Sequence, residues 1–87
     1  MRKTFINTVE ATDLSVAVVG LAIFNPSVVD AIAGMELQST EGVLLSTIMQ
    51  MNMAGKETVF LSTKVFLEPG QKLVTYGAEF TMAGSVG

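Results

Sequence analysis

The side chains that carry most enzyme chemistry are missing from this 87-residue sequence, which has no histidine and no cysteine. Nucleophilic catalysis of the common kinds sets a serine or cysteine beside a base, most often histidine. Structural and catalytic zinc sites draw on the same two residue types. Lysines and carboxylates remain. Lys56, Lys64 and Lys72 would act as bases only if burial lowered their proton affinity, and each reads as a surface charge. Glu10, Asp13, Asp30, Glu36 and Glu41 gather in the N-terminal half. Their spacing fits no calcium loop, and a chain this short does not readily build the cleft that a glycosidase pair needs. The glycines are scattered, with no phosphate-cradling pattern. The expectation is a protein that is not an enzyme, with no metal, no cofactor and no small-molecule substrate.

Charge narrows the partners further. The formal net charge is −3, and none of the five basic residues lies between Thr4 and Gly55. Binding to a phosphate backbone depends on lysine and arginine displacing counterions, so nucleic acid is an unexpected partner. The same acidity argues against an electrostatic hold on anionic lipid. Leu14 to Phe24 is the most apolar stretch, yet it is about half the roughly 20 residues that a membrane-spanning helix needs. A secretory signal could be drawn from Arg2-Lys3, Leu14–Phe24 and Ala31-Ile32-Ala33, but Glu10, Asp13 and Asn25-Pro26 interrupt that template. No membrane span is expected, and the compartment stays open: a virion or other large assembly is favoured, with a secreted or surface location as the other option.

Composition points to a covered surface. The length supports one domain, residues 1–87, with a thin core. Without cysteine it lacks the disulfides that often stabilise small domains. Apolar residues make up 49% of the chain and charged residues only 15%, against about 25% charged in ordinary globular proteins. A small domain has proportionally more surface and should carry more charge, so part of this surface is expected to lie against other subunits or another protein.

The elements read mainly as strands. Met1–Ala11 alternates β-branched and aromatic residues and reads as a short arm (1–9) or first strand. Leu14–Phe24 reads as a buried central strand, ended by Asn25-Pro26. Ser27 as a cap, Asp30 near the start and Gly34 as a stop allow one short helix near residues 27–33. Val43–Met53 fits either state, and its alternation from Ile48 to Met53 favours a strand. Thr58–Leu67 places Val59, Leu61, Val65 and Leu67 on one face, with Phe60 and Phe66 on the other. Glu68-Pro69-Gly70-Gln71 is a β-turn signal, and with Lys72–Met82 it predicts a C-terminal hairpin. Residues 83–87 read as a flexible Gly-rich tail.

The fold expected is therefore a small antiparallel β-sandwich or barrel. The function expected is a structural subunit of a symmetric complex, such as a capsid, decoration or tail component of a virion, or a surface filament. Its partners would be further copies of itself or other subunits of an assembly. Candidate contact residues are Phe5 and Ile6 in the arm, Met49, Met51 and Met53 as an adaptable docking face, and Phe60 and Phe66. The three methionines could equally fill an irregular core, which is the commoner use of such residues. A stand-alone β-sandwich that grips a protein or glycan through loops such as Glu68–Gln71 is the rival reading.

Overall fold

The alternation of β-branched and aromatic residues becomes eight strands in a computed structural model that describes residues 1–87. They are β1 (Arg2–Ile6), β2 (Thr8–Ala11), β3 (Val16–Phe24), β4 (Ala31–Ser39), β5 (Leu44–Met53), β6 (Thr58–Leu67), β7 (Gln71–Tyr76) and β8 (Glu79–Val86). The pairing has a simple logic. β4 and β5 form the tip of a long antiparallel ribbon, and β3 with β6, β2 with β7 and β1 with β8 continue it to the chain ends. Winding this ribbon adds the contacts β3–β8 and β4–β7. Two four-stranded sheets result, in the orders β1-β8-β3-β6 and β2-β7-β4-β5. This is the strand order of a jelly roll, in which two sheets pack face to face over one core.

The core is the inward half of each alternation. Val16, Val18, Leu21 and Ile23 of β3, with Phe80 and Met82 of β8, face Val9, Met35, Met53 and Leu73 from the other sheet. The chain passes between sheets at sharp local features. Between β1 and β2, Asn7 takes a left-handed φ of 62°, which asparagine tolerates better than most residues. Its main chain N–H donates to the Phe80 carbonyl at 2.9 Å, and its Oδ1 accepts the Phe80 N–H at 2.9 Å. Between β7 and β8, Gly77 has a φ of +82°, and a Cβ there would lie 1.9 Å from the Ile32 carbonyl oxygen. Only glycine fits.

Several expectations need correction. No helix forms near 27–33, because the caps are used differently. Asn25 is buried, and its Nδ2 donates to the carbonyls of Val29 (2.9 Å), Ala54 (3.1 Å) and, more weakly, Met53 (3.4 Å). Its Oδ1 accepts the Ser27 N–H, and Ser27 Oγ accepts the Val29 N–H. Serine closes a local turn instead of opening a helix, and β4 begins at Ala31. The C-terminal hairpin is also absent. The turn at Glu68–Gln71 exists, with Gln71 N–H donating to the Glu68 carbonyl at 3.1 Å and Gly70 at φ +91°. However, Gly70 N–H donates to the Ala11 carbonyl at 2.8 Å, which draws the chain toward β2. β6 stays with β3 in one sheet, while β7 lies between β2 and β4 in the other.

The ends are not free. β1 pairs with β8 from Arg2↔Ser85 to Ile6↔Thr81, so the N-terminal arm is a strand of its own sheet. Ala83, Ser85 and Val86 pair with β3 as well, so most of the expected tail is a central strand.

Candidate interaction surface

The two outer faces of the sandwich differ in chemistry. On the β1-β8-β3-β6 sheet, alternation with the buried residues turns Thr4 and Ile6, Thr81 and Ala83, Ala17, Gly20 and Ala22, and Phe60 and Phe66 outward. Small residues form the floor. Large rings stand on the β6 rim, with Phe60 paired to Ala22 and Phe66 to Ala17. Phe60 is 78% exposed and Phe66 70%. A register shift between Val18 and Gly20 pushes Val19 out of the sheet surface. Between these walls lies a hollow of about 400 Å³ lined by Thr4, Gly20, Ala22, Phe60, Ser62 and Thr81. A second hollow of about 440 Å³, reaching Arg2, Val19 and Ser85, meets it at Thr4 and Ala83. Charge is confined to the margin of this trough: Arg2 at one end, Glu79 at the other and Lys64 on the edge strand.

The outer face of the β2-β7-β4-β5 sheet is more polar and partly bonded to itself, although Ile32 and Leu44 are exposed on it. Glu10 lies opposite Lys72, and Gln38 Nε2 donates to Glu36 Oε1 at 3.3 Å. Tyr76 lies across Gly34, where an added Cβ would meet the ring at 2.1 Å, and its hydroxyl accepts from Gln50 Nε2 at 3.0 Å. The ring covers backbone that glycine leaves bare. Replacing Tyr76 with alanine is expected to cost about 1 kcal/mol, read as a melting temperature lower by about 4–8 °C. Gln50→Ala removes only the hydrogen bond and should shift the melt less.

The expected contact residues divide between surface and core. Ile6, Phe60 and Phe66 share the outer face of the first sheet. Phe5 does not join them: it lies opposite Met82, half-buried against the core, with Lys3 Nζ 5.7 Å from its ring centroid. The methionines also turn inward. Met53 is fully buried, while Met49 and Met51 are half-buried against the core. Met53 has no surface to offer a partner, because β5 presents its Gln50 and Asn52 side to solvent. The small floor residues Ala17, Gly20, Ala22, Thr81 and Ala83 were not among the candidates. Alanine and glycine carry no local signal of a surface role, and these five become neighbours only through the β3–β8 pairing.

Acidic residues are dispersed over the fold, and nowhere do three stand together as a metal would need. No helix of the chain is long and apolar enough to cross a membrane. Among known proteins, no family model, no curated protein and no solved structure matches the chain.

Proposed function

We propose that this chain is a non-enzymatic structural subunit of a larger symmetric assembly, with a virion shell, decoration or tail component as the concrete form and a surface filament as the other. The observation that carries the reading is the apolar outer face of the β1-β8-β3-β6 sheet, charged only at its margin, with Phe60 and Phe66 standing on its rim. A buried phenylalanine removes about 150–250 Å² from water, so the exposed parts of these two rings alone amount to about 200–400 Å². With Ile6 and Val19 also exposed on this sheet, the patch reaches the size that marks an interaction surface on a small protein.

The fold adds an analogy. Jelly rolls recur in viral shell proteins and also in lectins and cupins, and a shared fold does not by itself assign a function. The loop-based binding module has less behind it. The turn at 68–71 closes on itself, with Glu68 N–H donating to Gln71 Oε1 at 2.8 Å. The loop after β3 spends its polar groups on the loop after β5, through Asn25 and through Lys56 Nζ donating to the Pro26 carbonyl at 2.6 Å.

Light scattering on the size-fractionated chain across a dilution series tests the proposal. A defined multimer that survives dilution is the expected result, and a 9.2 kDa monomer at every concentration would overturn it. Phe60→Lys is expected to weaken the assembly by about 2 kcal/mol, roughly 30-fold in dissociation constant, as loss of a central aromatic contact does. Its melting temperature, measured under dissociating dilution, should stay near that of the parent because the ring is outside the core.

A further inference from the structure

We propose that the molecule meeting the rim of this face is a second copy of the chain, joined edge to edge through β6 in a two-fold antiparallel pair with Thr63 on the axis. The inference rests on the assembly reading and names its partner and register.

β6 has a neighbour on one side only, β3. Free edges invite pairing, and proteins blunt them with short strands, bulges, proline or charge. The other edges of the sandwich carry more of these features than β6 does. β1 and β2 are 5 and 4 residues long, and the β4–β5 ladder has register shifts between Met35 and Glu36 and between Leu37 and Gln38. β6 runs for 10 residues without proline, with Lys64 as its one charge. Its ladder with β3 has one register shift, where Thr63 and Lys64 stand against Val19, and on both sides of that shift the inward set (Val59, Val65, Leu67) and the outward set (Phe60, Phe66) keep odd and even positions.

A two-fold contact requires each residue to meet the residue that meets it in return. Because side chains alternate, inward positions must oppose inward positions, so the axis falls on a residue and not between two. Two registers use nearly the whole strand. With Ser62 on the axis, Phe60 opposes the partner's Lys64, Leu61 opposes the partner's Thr63, and Leu67 is left without a counterpart. With Thr63 on the axis, the strand matches its own reverse. Phe60 opposes the partner's Phe66, Leu61 the partner's Val65, and Val59 the partner's Leu67, each pair occurring twice. Thr63 opposes its own copy. Aromatic, aliphatic and threonine pairs of this kind are the favourable cross-strand combinations. Ser62 opposes the partner's Lys64, which keeps the two lysines from direct opposition. Moving the axis to Lys64 itself would set like charges face to face.

Such a pair merges two four-stranded sheets into one of eight and joins two troughs across the axis. Four exposed phenyl rings, two Leu61 side chains and two strand edges leave water together, on the order of 1,000 Å² in total, the threshold for a specific interface.

The cysteine-free chain allows a direct test by disulfide trapping. Directly opposed residues of an antiparallel pair have Cα atoms about 4.5–5.5 Å apart, within the range of about 4.4–6.8 Å that a disulfide spans. Under mild oxidation, full-length Thr63→Cys is expected to convert to a covalent species of twice the 9.2 kDa mass. Ser62→Cys is expected not to. A second measurement uses only exposed positions: separately prepared Phe60→Cys and Phe66→Cys chains should cross-link when mixed, and neither alone. Phe66→Lys added to Thr63→Cys should abolish the covalent dimer. A multimer by light scattering whose Thr63→Cys and mixed-chain bands are both missing, or whose Ser62→Cys band dominates, would overturn the β6 register and leave the assembly reading standing. A monomer at all concentrations with no cross-linking in any variant would overturn both.

Discussion

Phe80→Ala is expected to remove a large share of the domain's stability at 25 °C. The ring is fully buried, and its strand β8 lies between β1 and β3, with Phe80 opposite Ile23. Two of the three hydrogen bonds that hold Asn7 at the first crossing between sheets go to the Phe80 main chain, and the third is donated by the Thr75 hydroxyl to the Asn7 carbonyl. Truncating a buried phenylalanine costs about 3–5 kcal/mol, the lost burial adding to the cavity left behind. A chain of this length has a total stability of about 4–13 kcal/mol. With a urea slope of about 1 kcal/mol/M for a small protein, the midpoint should fall by about 3 M or more. A fall below about 1 M would show that the two sheets collapse onto the vacated space, and would refute Phe80 as the centre of the core.

Asn25→Asp is expected to be as damaging, for an electrostatic reason. The Asn25 amide is the donor at the centre of three carbonyl oxygens, those of Val29, Met53 and Ala54. A carboxylate of the same shape would turn an acceptor and a negative charge toward all three. An uncompensated buried charge costs about 3–5 kcal/mol. Asn25→Ala only removes the donor and should cost about 1–3 kcal/mol. The ordering Asp worse than Ala is the decisive result, since ordinary loss of packing predicts the reverse. The sign with pH follows. The carboxyl introduced by the substitution would be pushed toward its neutral form in the folded state, and neutral it can donate one hydrogen bond. Its deficit relative to the parent, measured by urea unfolding at each pH, should therefore be smaller near about pH 4 and grow as the pH rises.

How far the sequence spoke depended on whether the signal was local. Leu14–Phe24 and Thr58–Leu67 read correctly as strands because β-branched residues bias the backbone they sit in. The all-β sandwich followed from their number. Pairing was a different matter. Glu68–Gln71 marks a turn whether its strands pair or straddle two sheets, and the choice was made by Gly70 bonding to Ala11, far away in sequence. Gly77 looked like one more residue in a run from Lys72 to Met82, while the Ile32 carbonyl beside it fixes the break. Ser27 had the chemistry of a helix cap, and the buried Asn25 amide beside it redirected that chemistry.

The same division holds for the surface. Phe60 and Phe66 were legible because they alternate with an aliphatic set that had to face the core. The methionines were legible only in part, since thioethers suit both cores and contacts with cores the commoner use, and the β4–β5 register turns Met49, Met51 and Met53 inward. The small floor beneath the two rings is a property of strands brought side by side.

The place of β8 has a consequence for how the molecule is made. It is the last of the eight strands to be synthesised, yet it is inserted between β1 and β3. Until it emerges from the ribosome, β1 has no partner in its sheet and β3 has only β6. At about 5–20 residues per second, the apolar β3 segment waits roughly 3–12 s for the strand that completes its sheet. A nascent chain of this design gains little by folding in pieces. Stopping it before Glu79 should yield a chain that never closes its core, not a smaller domain, and for those seconds it depends on whatever in the cell shields an unpaired apolar strand.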